Sequence, residues 1–161
     1  TLEGPLYVPA GVVLPGLPYL GLDPGKLEGI ILDDASALLT GTWSDTGSLP
    51  GFVADGYHYS SDPTATAKFP FSVTRAGRYE VRLAWQPHEN RAKQAHLRVL
   101  HADGETDLTI DQTKAPALAN GFTAIGTFRF DESQNFAVTY TVKDAKGVVH
   151  IDAVQLVPAK D

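Results

Sequence analysis

The chain has 161 residues, a formal net charge of −6, five histidines and neither cysteine nor methionine. That length suits one domain with a tail. It excludes disulfides, thiol nucleophiles and thiolate metal sites, and its acidity argues against nucleic acid, whose phosphates need a basic stripe, and mildly against acidic polysaccharides.

The chain opens at Thr1, so it reads as a piece of a larger protein. No apolar run approaches the roughly 18 residues of a membrane span, and the start lacks the basic and apolar regions of a signal peptide. Residues 1–28 hold five Pro and five Gly, which forbid a long helix and interrupt any strand. This is a linker or docking segment. Its Val12, Val13, Leu14, Leu17, Tyr19, Leu20 and Leu22 are too apolar for a solvated linker and are expected to pack on a neighbouring domain.

From residue 29 to 161 the period is two. Ala65, Ala67, Phe69, Phe71 and Val73 alternate with polar neighbours, as do Tyr79, Val81, Leu83 and Trp85. The rhythm returns in Ala95, Leu97 and Val99, in Leu108 and Ile110, in Phe122, Ala124, Gly126, Phe128 and Phe130, and in Phe136, Val138, Tyr140 and Val142. These read as half-buried strands. The last run, VVHIDAVQLV from Val148, is apolar on both faces in places and should lie centrally. Ala76-Gly77, Ala102-Asp103-Gly104, Asn120-Gly121 and Asp144 to Gly147 supply turns, and Asp33 to Leu39 has room for one helical turn. Eight or nine short strands without helical crossovers predict an all-β fold, a two-sheet antiparallel jelly-roll sandwich.

Candidate chemistry is sparse. His58, His88, His96, His101 and His150 form no metal-ligand spacing, and no glycine pattern cradles phosphate. Asp33 and Asp34 point to opposite faces of an extended segment and cannot act as a paired acid and base without a bend. First and last strands of a jelly roll often neighbour each other, so Asp34 and Asp152 could share a structural calcium with backbone carbonyls. Trp85 belongs to the core, and Trp43 to core or rim. Tyr57 and Tyr59 either face together into the sandwich or present rings on which a pyranose stacks. Between two strands, AWQPHENRAKQAH (84–96) concentrates His88, Glu89, Asn90 and Arg91. No catalytic constellation converges, so no enzyme, cofactor or metal-dependent chemistry is expected.

The pieces LDDASALLTGTW, DGYHYS, AGRYEVRLAWQPHENRA, RVLHADG, TIDQ, GFTAIGTFRF and VHIDAVQLV, in that order from Leu32 to Val157, resemble the golvesin C-terminal-like domain, also described as the xanthan lyase carbohydrate-binding-like domain. The resemblance implies a galactose-binding-like jelly roll at the carboxyl end of a larger bacterial extracellular protein, such as a polysaccharide lyase or flavin-dependent oxidoreductase. The family's Asn-Arg-Ala falls on Asn90, Arg91 and Ala92, and its Asp-Gln on Asp111 and Gln112. In one reading Asn90, Arg91 and Gln112 donate to sugar hydroxyls, flanked by Tyr57, Tyr59 or His88. In the other, Arg91 forks onto Asp111 or a carbonyl and locks the loop. The resemblance thus implies a secreted or periplasmic, non-catalytic module that binds a polysaccharide or oligosaccharide. The alternative is a structural domain docked on a catalytic domain of the parent protein.

Overall fold

The computed structural model describes residues 20–160. Twelve strands run in chain order: β1 (Ile30–Asp33), β2 (Leu38–Thr40), β3 (Ser44–Thr46), β4 (Tyr57–Ser60), β5 (Thr66–Phe71), β6 (Gly77–Ala84), β7 (Ala95–His101), β8 (Gly104–Ile110), β9 (Phe122–Phe130), β10 (Phe136–Thr141), β11 (Val149–Ile151) and β12 (Ala153–Pro158). They form a four-stranded sheet β1-β12-β6-β9, a five-stranded sheet β2-β5-β10-β7-β8 and a small sheet β11-β4-β3, every ladder antiparallel. The fold is the expected jelly-roll sandwich. Its count exceeds the expectation because β1 to β4 and β11 are three or four residues long, too short for alternation to register.

The main core is built by the alternating residues. Phe69, Phe71, Tyr79, Val81, Leu83, Trp85, Leu97, Val99, Val138 and Tyr140 are all buried in one cluster fed by the two large sheets. Each such side chain contributes roughly 1.5 to 3 kcal/mol by leaving water. Leu108 and Ile110 are only partly buried, because β8 is an edge strand.

The alternation expected for β9 fails halfway. Val81 pairs with Gly126 and Arg82 with Ala124, so Ile125 is the extra residue of a bulge. A bulge shifts the side-chain parity. Ile125, Phe128 and Phe130 therefore join the main core, Ala124 is exposed, and Phe122 packs on the other face with Val53, Ala84 and Ala153.

The final run is buried on both faces, but it divides at Asp152 into β11, in the small sheet, and β12, between β1 and β6. The predicted helical turn is the 3₁₀ turn Asp34–Ser36, capped by Asp33. Trp43 is partly buried and donates to the Thr40 and Thr66 carbonyls, so it belongs to the rim. Within the Pro/Gly-rich opening, Leu22 does not wait for a neighbouring domain. It is buried, and its backbone bonds to Phe52 and Ala54 at 2.8 and 2.9 Å. The expectations for Val12 to Tyr19 lie outside the described residues.

Candidate functional site

The small sheet carries the site. Tyr57 and Tyr59, two residues apart on β4, lean to the same side, and β11 pairs beside them with His150 opposite Tyr59. The His150 imidazole packs near both phenols, 5.5 Å from the Tyr57 ring and 5.4 Å from the Tyr59 ring, nearly parallel to the latter at 15°. Tyr57 is buried, whereas Tyr59 remains 36% exposed. Burial first, then the positive charge of Arg91, pushes the His150 pKa down to about 3, so the ring is neutral at physiological pH.

Gln112 holds His150 in place. Its Nε2 donates to the His150 carbonyl at 2.7 Å, and its Oε1 accepts from the His150 amide at 2.9 Å. The side chain thus acts as a missing strand neighbour. At 0% exposure and outside the cleft lining, it does not reach a ligand, so the direct sugar contact expected of it is corrected to positioning of His150.

The loop after β6 runs alongside the start of β11 and borders the cleft there. The stretch from Asn90 to Gln94 is laced to Ala145–Val148 through Ala92 to Val148 (2.8 Å), Val148 to Asn90 (3.1 Å), Lys93 to Lys146 (3.2 Å) and Gln94 to Ala145 (2.9 Å), all backbone bonds. Gly147 allows that approach. Its φ is +140°, and an added Cβ would collide with the Arg91 backbone carbonyl. Gly147→Ala is therefore expected to lose about 1 to 3 kcal/mol, read by urea denaturation; an unchanged midpoint would mean that the lacing yields freely.

Arg91 is buried, 6% exposed. Its Nε donates to the Gln86 carbonyl at 2.8 Å and its Nη1 to Asn90 Oδ1 at 2.6 Å. The carbonyl latch is present, but its Asp111 version is not: that carboxylate accepts from the amide and hydroxyl of Thr113. His88 is exposed and its Nδ1 accepts from the Asn90 amide at 3.3 Å; it shapes the loop and does not line the cleft.

The small sheet and this loop together line a cleft of about 270 Å³. It brings together Tyr57, Tyr59, Asn90 and Arg91 from the sequence reading, and adds His150 and the hydroxyls of Thr46, Ser48 and Ser61. The signal for His150 was one polar residue within an otherwise apolar buried strand.

Thr46 and Tyr57 also border a second hollow, lined by Asp33, Asp34, Asp45 and Asp55. Oxygens of Asp33, Asp34 and Asp152 lie within 4.8 Å of one another, so the carboxylates that the calcium expectation required are indeed together. Asp152, 1% exposed, accepts from the Val53 amide at 3.0 and 3.1 Å and from Gln86 Nε2 at 2.9 Å. Asp34 Oδ2 meets His58 Nδ1 at 2.5 Å, and Asp33 Oδ1 is buried without a partner. Three carboxylates this close cannot all ionise. Burial, then the charges of Asp33 and Asp152, pushes Asp34 up to about 9, and burial raises Asp152 as well.

The family model of the Golvesin C-terminal domain matches residues 30–158. A xanthan lyase of Bacillus sp. (strain GL1) is 29% identical over 147 residues, 84% of this chain and 16% of that protein. The solved structure of Paenibacillus xanthan lyase superposes with a TM-score of 0.74 at 26% identity, over 81% of this chain and 13% of that one. A family 35 carbohydrate-binding module of Clostridium thermocellum shares the fold at a TM-score of 0.57 and 9% identity, over 83% of this chain and the whole of that one.

Proposed function

Because the chain belongs to the golvesin C-terminal domain family, we propose that it is a non-catalytic accessory module of a larger protein and that its cleft binds carbohydrate. The observation that carries this reading is the exposed face of Tyr59, backed by the neutral His150 ring and set beside amide, hydroxyl and guanidinium groups. A pyranose offers an apolar face for such a ring and hydroxyls for such neighbours. The likeness to a carbohydrate-binding module and to enzymes named for xanthan supports it. Since the chain spans 16% of the curated relative's length, catalysis would belong to another domain of the parent protein. A role on polysaccharide fits a secreted or periplasmic setting; no helix among the described residues is long and apolar enough to cross a membrane.

Affinity electrophoresis through plant, algal and bacterial polysaccharides tests the reading. Retardation is expected on at least one polymer. Tyr59→Ala should weaken it about fivefold to tenfold, a stacked ring being worth on the order of 1 kcal/mol or somewhat above, with stability unchanged within about 1 kcal/mol, as expected of a half-exposed residue. Undiminished retardation of the variant would remove Tyr59 from the site. A second reading, docking on the parent's catalytic domain, draws on the exposed Leu38 and Leu39 of edge strand β2; it takes over if no polymer retards the chain.

A further inference from the structure

We propose that the cleft selects an acidic sugar and seats the carboxylate of a uronate residue on the guanidinium of Arg91. This rests on the carbohydrate-binding reading and names its ligand class.

A guanidinium is charged at every working pH and costs free energy to bury unless an anion answers it. Arg82, Arg98 and Arg129 follow that rule: each meets carboxylates of Glu28 and Glu80, of Glu105 and Asp107, or of Asp103 and Asp131. All three are more exposed than Arg91. Arg91 alone of these four lines the cleft, and it has no carboxylate partner among the described residues. Its burial drags its pKa down, against a smaller opposing pull from the nearby Tyr57 phenol, the mark of a cation with too little compensation.

Its hydrogen-bond partners are neutral: Nε holds the Gln86 carbonyl and Nη1 the Asn90 amide oxygen. Beyond these two bonds and an interaction with the Tyr57 phenol, the guanidinium has no further partner among the described residues. The Nη1–Nη2 edge is thus left for a planar, two-oxygen acceptor, the geometry in which Arg and carboxylate pair most strongly. A sugar hydroxyl would satisfy one donor and leave the charge unanswered.

The surrounding charges point the same way. No acidic residue lines the cleft among the described residues, and His150 adds no charge of its own. Four aspartates instead line the second hollow, beyond Thr46 and Tyr57. The net charge of −6 slows the approach of a polyanion, but a local cationic cleft decides where it binds.

The test uses this chain in chelator, so that no metal bridges the acid. Its mobility is read in gels containing polygalacturonate or alginate, and in gels containing the carboxyl-reduced, neutral form of each. Dextran and dextran sulfate form a third pair. At least one acidic uronan is expected to bind about tenfold more tightly than its reduced form, and Arg91→Lys, which keeps charge but not the fork, to lose about tenfold. Should Arg91→Lys fail to fold, the Arg91 Nε–H resonance of the wild-type chain must shift during titration with oligogalacturonate or oligoalginate. Equal binding of acidic and reduced polymers overturns the uronate assignment and leaves the carbohydrate reading standing. Dextran sulfate binding as tightly as the uronans reduces it to charge attraction and overturns it. An acid preference that survives Arg91→Lys, or an unshifted Arg91 resonance, moves the carboxylate elsewhere and overturns the site. Binding to none of the neutral or acidic polymers here or in the wider panel overturns both readings.

Discussion

Trp85→Ala is expected to destabilise the fold by about 3 to 5 kcal/mol, the range for emptying a large aromatic site in a packed core. Trp85 directly follows β6, continues the buried alternation of Tyr79, Val81 and Leu83, and belongs to the main cluster. Its Nε1 also donates to the Lys114 carbonyl at 3.0 Å, tying down the segment between β8 and β9. Alanine therefore removes both packing and a tether. Trp85→Phe keeps most of the volume and loses the hydrogen bond, so about 1 kcal/mol of its cost is the tether alone. Urea unfolding of both variants separates the two contributions. An alanine variant within about 1 kcal/mol of wild type would put Trp85 at the surface and shift the register of β6.

That register was legible because one face of each long strand is buried, and burial writes a period of two into the residues. The same rule failed where the chain breaks regularity. Nothing in GFTAIGTFRF marks Ile125 as the extra residue, and its bulge sends Phe122 to a different face from Phe130. Nor does alternation mark Asp152 as a strand break, since its neighbours on both sides are apolar.

The site was half legible for a related reason. Tyr57 and Tyr59 share a face by simple parity, and Asn90 and Arg91 stood out as polar residues crowded between strands. Gln112 and His150 meet across 38 residues, a contact that no local spacing encodes. Gln112 was misread because an amide facing a ligand and an amide replacing a strand neighbour look alike in sequence. Arg91 was legible as a latch or a clamp; the structure shows the latch at Nε, and the same residue lines the cleft.

The acidic cluster sets the pH dependence of stability. Asp34 is raised from the ordinary carboxylate value of 3.8 to about 9 in the folded chain, by burial and then by Asp33 and Asp152. A raised acid favours the fold fully below its unfolded pKa, and the advantage disappears as pH climbs through the folded value. From Asp34 alone, stability should fall between about pH 4 and about pH 9. His150 has the opposite sign: its folded pKa is lowered to about 3, so the fold gains as pH rises from about 3 to about 6.5, where the unfolded histidine finishes titrating. The two slopes oppose each other below about pH 6.5, and Asp34 acts without that opposition from there to about 9. In chelator, the melting temperature is therefore expected to fall through about pH 7 to 9, the lost stability reaching on the order of a few kcal/mol, since each tenfold difference in proton affinity between the folded and unfolded chains is worth about 1.4 kcal/mol. Asp34→Asn, which cannot ionise, should flatten that limb and overtake wild type at its alkaline end. Calcium added at about pH 8 should recover part of the loss, because a hard cation relieves the same repulsion between Asp33, Asp34 and Asp152 that a proton does. A wild-type profile flat from about pH 7 to 9 would mean that Asp34 is already ionised beside His58; a falling profile that calcium leaves untouched would make the proton the cluster's only counter-charge.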